Sequence, residues 1–430
     1  LKHGLYYRAY TNNGIVRTTD YRYLVDFNKI FPDSKDKECV WAFTKFYSAG
    51  KSSFGWDINC FGPMVVYVNG EVAYKSDIFK ERYSETSTRV FMDVEEGWND
   101  IRIQFKKTKA GFGGQFGTWI GKWDMYTLMP TKERDGQEGF VFTELVPDDY
   151  VPEFEIGMSE KDFDKKLYPI INWSDDEMKK GQLTRMFGTP NGQYAVGYTK
   201  VFADDINNTT HKFTLDTKGE TVVYIDKKEV FKTNGGKETF DAQLPLGTYD
   251  VYVKCICGGN DWGYTLECDT VEFESAARVK GTDDVWMYIG TFVNDFEFPF
   301  DTASDMLHIV GEPATYWRLD APDTFVRPYN ENTLFGRWNY PLGVTMYGLL
   351  HTAIAIGSED IKNYIKDHVQ LCIDTLEYAL WDKEQYGGAT SIHNLLTSID
   401  SLDDCGSFAS MMLEVNKYLG LRDVKKVADY

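Results

Sequence analysis

The sequence predicts a multidomain protein of the β plus α class, in which two jelly-roll-like β-sandwiches precede a set of helical hairpins. Short apolar alternations separated by Gly, Asn, Asp and Lys clusters run from the N-terminus to about residue 320, as expected for strands joined by turns. Beyond about residue 327, apolar residues recur at helical spacing. At about 150 residues per domain, the 430 residues provide for about three domains.

An internal repeat organises the β part of the chain. Residues 65–75 and 222–232 each contain an apolar strand, a polar turn and a second strand, which predicts two β-hairpins. The flanking segments recur in the same order: 43–46 and 198–201 before the hairpins, 97–103 and 247–253 after them. Three matches in register predict two sandwiches built in the same way.

We place the first sandwich in residues 1–150 and the second in residues 165–275, with the acidic, proline-containing stretch 146–153 as a linker. Residues 280–326 carry further strand-like pieces, and the sequence leaves open whether they form a third small sheet or a connector. The string V-Y-V-N-G-E followed by G-W-N-x-I resembles galactose-binding-like sandwich modules attached to many glycosidases. Because these residues form a structural hairpin, the resemblance implies a fold and not a bound sugar.

Three helices are predicted in residues 327–430. Pro341 suits a first helical turn and Gly357 suits a C′ stop, so the first helix lies between them. A second helix opens at residues 358–361 and ends near Lys383. A third begins at Asp403, which is a good N-cap. Because the second helix returns between the other two, the first and third run in the same direction and their N-termini open on the same side.

The helical part also carries a family pattern. R-W-N-Y-P-x-G-V…Y-G-L-L, followed by a helix and then L-D-D-C-G, resembles glycoside hydrolase family 105, the unsaturated rhamnogalacturonyl hydrolases. The resemblance covers about residues 325–430. It implies an (α/α)6 barrel that removes the terminal 4,5-unsaturated uronate which pectin lyases leave on oligosaccharides. In the implied reaction, an Asp protonates the vinyl ether, water adds at C5, and the resulting hemiketal opens to release the sugar.

The resemblance assigns roles to individual positions. Asp404 matches the pocket carboxylate that supports the substrate's hydroxyls, and Trp338 and Tyr340 match the aromatic entrance. The family's acid lies on the hairpin after the third helix and is therefore expected beyond Tyr430. Residues 327–430 supply only about three of the twelve helices of such a barrel. They are thus expected to be the N-terminal part of the glycosidase domain of a longer enzyme.

The residues by themselves leave alternatives for each candidate substrate-binding side chain. Asp403 and Asp404 could raise each other's pKa as an acid pair, or could be an N-cap beside a solvated carboxylate. With the resemblance, we assign Asp404 to the pocket and Asp403 to the N-cap. Trp338 and Tyr340 could stack on a sugar ring or anchor their helix to the core. His393 faces the side of Asp404 if the hairpin geometry holds, although a single His is usually structural.

Two classes of function follow from this interpretation. The first is a hydrolase of unsaturated uronyl oligosaccharides. The second is a non-catalytic carbohydrate-binding or structural assembly, in which the β-sandwiches are the working parts and the helices are scaffold. His351 and His368 lie within predicted helices and are interpreted as packing residues.

The charge of the chain restricts its partners. The formal net charge of -20 argues against nucleic acid and anionic membranes, whose phosphates would be repelled. The net charge opposes the binding of a uronate substrate only weakly, since a pocket can be locally positive. No apolar run reaches the ~20 residues of a membrane helix. The predicted partner is an unsaturated oligosaccharide, and the sequence specifies neither the uronide that is cleaved nor the oligomeric state.

Seven cysteines, an odd number without an extracellular framework, indicate reduced thiols. No signal-like apolar segment begins the sequence, so a cytoplasmic location is predicted. Cys255 and Cys257 alternate along a strand and share one face, with Cys268 nearby. No C-x-x-C partner accompanies them, so ordinary strand residues are a better interpretation than a zinc site. We predict no metal and no cofactor.

Overall fold

The computed structural model describes residues 6–12, 14–77, 80–81, 83–118, 127–275, 279–293, 316–329, 340–386, 392, 397 and 401–430. These residues form β-sheets followed by C-terminal helices, as predicted for the β plus α class. The chain divides into two compact units: residues 1–6, 12–169 and 328–430 form one, and residues 7–11 and 170–327 form the other. The domain boundaries inferred from the sequence stay predictions.

The strands and helices follow one another along the chain in this order. The first fourteen strands are β1 (Tyr6–Thr11), β2 (Val16–Arg17), β3 (Tyr23–Asp26), β4 (Glu38–Ser48), β5 (Ser52–Cys60), β6 (Met64–Val68), β7 (Glu71–Lys75), β8 (Ser87–Val94), β9 (Gly97–Lys106), β10 (Gly113–Gly117), β11 (Thr127–Leu128), β12 (Val141–Thr143), β13 (Val146–Pro147) and β14 (Leu167–Tyr168). The other strands are β15 (Tyr194–Ala203), β16 (Thr210–Thr217), β17 (Thr221–Ile225), β18 (Lys228–Thr233), β19 (Gly236–Gln243), β20 (Gly247–Ile256), β21 (Tyr264–Glu267), β22 (Glu272–Glu274), β23 (Val279–Lys280), β24 (Met287–Phe292), β25 (Trp317–Arg318) and β26 (Thr324–Tyr329). The helices are α1 (Phe27–Ile30), α2 (Asp175–Met178), α3 (Gln182–Phe187), α4 (Tyr340–Ile356), α5 (Glu359–Tyr386), α6 (Leu402–Leu419) and α7 (Val424–Ala428).

The first sandwich consists of two packed sheets. One has the strand order β2-β3-β10-β5-β8, and the other has the order β14-β12-β4-β9-β6-β7 with β11 and β13 also paired to β4. Trp56 and Phe116 from the first sheet pack against Ile103 and Phe105 from the second. Because alternate residues of a strand point to opposite faces, Ile101, Ile103 and Phe105 of β9 are fully buried between the sheets.

The outer face of the larger sheet is also partly covered. Trp41 and Phe43 of β4 form a second apolar cluster with Phe154 and Phe163. Strand β13 pairs with β4, so the chain after it runs along this face. The interpretation of residues 146–153 as a linker is therefore wrong. The apolar side chains of Val146 and Phe154, at either end of this acidic stretch, are buried against the sheet.

The second unit contains a ten-stranded sheet and a three-stranded sheet. The main order is β18-β17-β20-β15-β24-β25-β26-β1-β23, with β22 added beside β15, and the smaller sheet has the order β19-β16-β21. An apolar core that includes Cys255 and Cys257 packs within this unit. The described residues of segment 280–326 thus supply strands to the large sheet, and β1 pairs with β23 in the same sheet.

The internal repeat predicted from the sequence is confirmed by strand register. Lys45 pairs with Asp100 between β4 and β9, and Lys200 pairs with Asp250 between β15 and β20. The hairpins β6–β7 and β17–β18 each have a register shift at the same position, after Val66 and after Val223. The four strands β4-β9-β6-β7 and β15-β20-β17-β18 therefore share one backbone design.

Three of the C-terminal helices have the predicted arrangement. The start of α4 meets the start of α6, where the backbone N–H of Tyr340 donates to Asp404, and further along His351 Nε2 lies 3.2 Å from Glu414 Oε2. Two contacts in the same order mean that α4 and α6 run in the same direction, as predicted. The first helix ends before Gly357, whose φ of 70° is the expected left-handed stop.

These helices share a core with α5 and α7. Leu350, Val369, Met411 and Val427, one from each of the four helices, belong to the same apolar cluster. Within the described residues, no helix combines the length and apolar character needed to cross a bilayer. The cytoplasmic location stays a prediction.

Candidate functional site

The candidate site is centred on Asp404, in the first turn of α6. Its side chain is buried, with 8% of the residue exposed. Oδ1 accepts a hydrogen bond of 2.5 Å from the backbone N–H of Tyr340, the first residue of α4. The first N–H groups of a helix have no acceptor within their own helix. Asp404 therefore caps α4 from a neighbouring helix, and this contact fixes the orientation of the carboxylate.

Close helix packing brings Asp404 within reach of Tyr340. Gly343 of α4 lies against Ser407 of α6, so that a Cβ at Gly343 would be only 2.5 Å from Ser407 Oγ. The space beside Gly406, the residue before Ser407, is open. The contact thus depends on one glycine of α4 and one serine of α6.

Asp403 has a different environment from Asp404. It is exposed and is the second residue of α6, while Ser401, with φ -135° and ψ 128°, occupies the N-cap position. The N-cap assignment of Asp403 is therefore wrong. The helix begins two residues earlier than predicted. Asp404 therefore lies within its first turn, where the side chain reaches the backbone N–H of Tyr340.

The structure brings two of the five candidate residues together. Tyr340 is 47% exposed, and its backbone N–H holds the buried carboxylate of Asp404. Trp338 and His393 lie outside the described residues, and their assignment to the site stays a prediction. The same holds for a substrate contact by Asp403.

A second buried acid in the helical part, in addition to Asp404, was not predicted from the sequence. Asp382 of α5 is fully buried, and it follows the buried His368 and Thr375 at intervals of seven residues. Seven residues are close to two helical turns, so these polar side chains lie along one side of α5. This periodicity was the signal available in the sequence. The interpretation of His368 as a packing residue agrees with its 2% exposure.

The cysteines are free, and Cys255 and Cys257 both lie in the core of the second unit. Their shared face is the buried one, as the alternation predicted. Among the described residues, no group of three His, Cys, Asp or Glu side chains is arranged to hold a metal ion. Burial raises the pKa of the Cys39 thiol to about 11, which keeps that thiol protonated at neutral pH.

No protein family matches the sequence, and no relative is found among curated proteins. Solved structures with weak similarity include the apo form of a lectin from Pleurotus ostreatus, at 12% identity and a TM-score of 0.22, covering 76% of this chain and 94% of the lectin.

Two rhamnosidases are similar at the same low level. A GH78 family rhamnosidase of Bacillus sp. GL1 has 14% identity and a TM-score of 0.20, covering 67% of this chain and 36% of the enzyme. An α-L-rhamnosidase of Streptomyces avermitilis, in complex with L-rhamnose, has 11% identity and a TM-score of 0.20, covering 60% of this chain and 27% of the enzyme. These TM-scores are too low to establish a shared fold.

Proposed function

We propose that the chain is part of a glycoside hydrolase that removes a terminal 4,5-unsaturated uronate from pectin-derived oligosaccharides by hydration of the vinyl ether. The observation that carries the proposal is the buried carboxylate of Asp404 where two helix starts meet, held by the backbone N–H of the exposed residue Tyr340. Sites for small ligands combine apolar surface with a few oriented polar groups. A carboxylate can accept hydrogen bonds from sugar hydroxyls while the aromatic ring packs against the sugar.

The helix directions also suit an anionic sugar. The N-terminus of a helix carries partial positive charge, and α4 and α6 both begin at this point. A uronate bound here would meet two such ends, which would offset the repulsion from the Asp403 and Asp404 carboxylates in a chain whose formal net charge is -20. In this proposal α4, α5 and α6 are the first helices of an (α/α)6 barrel, and Trp338 and His393 contribute to the same site. The acid that protonates the vinyl ether is not assigned within this sequence.

The proposal is tested with the full-length product of the gene that encodes this sequence, after its intact mass has been measured. The protein is mixed with lyase-treated pectin, and the absorbance band of the unsaturated uronate is followed. We expect the wild type to remove the band and Asp404→Asn to leave it. The amide oxygen of Asn can still accept the Tyr340 N–H, so a loss of activity would reflect the missing charge and not a missing cap.

Asp360→Asn is the matched control, because it removes an exposed carboxylate from the first turn of α5 and is not one of the candidate site residues. This variant should retain the wild-type rate. The hydrolase proposal fails if the full-length protein leaves the band unchanged, or if Asp404→Asn is as active as the wild type.

A second candidate function is a non-catalytic carbohydrate-binding or structural β-sandwich assembly. It is favoured by the hydrogen bond between Asp404 and the Tyr340 N–H, which already gives the carboxylate a structural task. In that case the unsaturated uronate band would persist with every variant. Glycan binding, if present, would then be a property of the sandwiches.

A further inference from the structure

A groove lies on the outer face of the eight-stranded sheet in the first sandwich. Its volume is about 340 Å³, and residues 148–152 form one wall. The remaining lining comes from Gly70 in the turn between β6 and β7 and from residues of three strands: Trp41 of β4, Tyr67 of β6, and Arg102, Gln104 and Lys106 of β9. The volume is within the usual range of about 300–1,000 Å³ for small-ligand sites.

Strand register explains why these side chains meet. On β9, residues 102, 104 and 106 alternate with the buried core residues, so all three point away from the sandwich interior. Trp41 pairs across β4–β9 with Gln104, and Tyr67 pairs across β6–β9 with Arg102. The floor of the groove is therefore part of a rigid sheet.

The wall is held in place by Arg102. Its Nη2 donates to the carbonyl oxygen of Phe154 at 2.8 Å, and its Nε donates to Asp100 Oδ2 at 2.7 Å. The Arg102 charge is thus compensated within the protein. We treat Arg102 as a residue that positions the wall and not as a ligand contact.

The remaining groups have the chemistry of a sugar site. The rings of Trp41 and Tyr67 lie 5.5 Å apart, Tyr67 is half-buried, and Tyr150 lies in the wall. Gln104 is 6% exposed, and its side-chain Nε2 donates to Cys39 Sγ at 3.8 Å beneath the groove floor. Lys106 forms no ion pair with any described residue. Aromatic surface, an amide and an ammonium together match the C–H faces and hydroxyls of a pyranose.

The charges favour a neutral sugar over an acidic one. Asp148 and Asp149 are exposed at the wall, and they offset the ammonium of Lys106. An additional carboxylate in the groove would be repelled by these two aspartates. We propose that this groove binds a neutral oligosaccharide through one pyranose seated between Tyr67 and Lys106. The site is separate from the candidate hydrolase site and does not depend on hydrolase activity.

The test uses the complete protein and an array of defined neutral and acidic oligosaccharides, followed by calorimetric titration with the neutral glycan that binds most tightly. We expect binding of at least one neutral glycan, and an affinity loss of roughly tenfold or more in Tyr67→Ala and in Lys106→Met. Two variants at different strands keep the test decisive if one of them is poorly folded.

The internal repeat supplies a matched control. Tyr224 occupies the position of Tyr67 in the second repeat, so Tyr224→Ala should bind the glycan like the wild type. Asp404→Asn should also bind normally, which separates failure of this site from failure of the hydrolase proposal. The inference is overturned if no neutral glycan binds, if only acidic glycans bind, or if both Tyr67→Ala and Lys106→Met retain wild-type affinity.

Discussion

At the scale of single residues, Asp403 and Asp404 have the same side chain in opposite environments. Asp404 is buried and accepts the N–H of Tyr340, whereas Asp403 is exposed one position earlier. Successive residues of a helix point about 100° apart, so neighbours in sequence can face the core and the solvent. The N-cap was assigned to the wrong residue because Ser401 and the two acids that follow it are all good caps.

Alanine substitutions of Gly343 and Gly348 in α4 should change the free energy of unfolding in opposite directions. Gly343→Ala should reduce the free energy of unfolding by about 1–3 kcal/mol, because the new methyl would overlap Ser407. Gly348→Ala should increase it by up to about 1 kcal/mol, since no atom lies within 4 Å of the added carbon and Ala favours helix.

Urea unfolding of both variants measures the difference. Far-ultraviolet circular dichroism would follow the helices. If Gly343→Ala proved as stable as Gly348→Ala, the close approach of α4 and α6 would be contradicted.

At the scale of elements, the two repeated hairpins use the same tight turn with different residues. Asn69 and Gly70 have φ of 49° and 86°, and Asp226 and Lys227 have φ of 45° and 66°. Two positive φ values are the pattern of a type I′ turn, which suits the twist of a two-residue hairpin. Only the first hairpin has glycine at the second of these positions.

This difference predicts the effect of a reciprocal exchange. Lys227→Gly should raise the free energy of unfolding by up to about 1 kcal/mol, because it relieves a left-handed lysine on an exposed turn. Gly70→Lys should lower it by about 1 kcal/mol for the same reason. Chemical denaturation of the two single variants tests the pair, and a destabilised Lys227→Gly variant would contradict the turn geometry.

The connection between α3 and the second sandwich predicts a pH dependence. Burial by itself would raise the pKa of Asp261, but hydrogen bonds from Lys218, the Gly181 N–H and the Thr184 hydroxyl outweigh it and lower the pKa to about 2. A carboxyl whose pKa is lower in the folded state contributes stability above its unfolded pKa and loses that contribution as pH falls.

The variant Asp261→Asn tests this linkage. The difference in free energy of unfolding between the wild type and the variant should be constant from about pH 5 to pH 7. It should shrink as pH falls from the ordinary value of 3.8 towards the folded value of about 2. Denaturant titrations across this range measure it, and a difference independent of pH would show that the ion pair does not hold α3.

At the scale of the whole molecule, the features that could be predicted are those with a local signal. The repeated hairpins, the three main helices and the parallel direction of α4 and α6 follow from alternation, helical period and short connections. The pairing of β1 with β23 could not be predicted, because partners more than 260 residues apart leave no periodic trace. The covering of one sheet by residues 146–163 was hidden by the acidic and proline-rich character of that segment.

The candidate site was predictable to a similar extent. Asp404 and Tyr340 were selected from a motif and lie together, because helix starts on one side of a bundle converge. Asp382 was missed because a single acid within a long amphipathic helix resembles a solvated one, and only its packing partners bury it. The groove of the first sandwich was missed because its residues come from three strands that are adjacent only after folding.

The two copies of the repeat share one backbone arrangement but differ in their side chains. Where the first copy has Phe43 and Arg102, the second has Tyr198 and Tyr252, whose rings stack 4.5 Å apart at an angle of 8°. The same strand arrangement thus carries Arg102, which holds the groove wall, in one copy and a pair of stacked tyrosines in the other. A duplicated scaffold of this kind allows one copy to specialise in recognition while its twin serves the architecture.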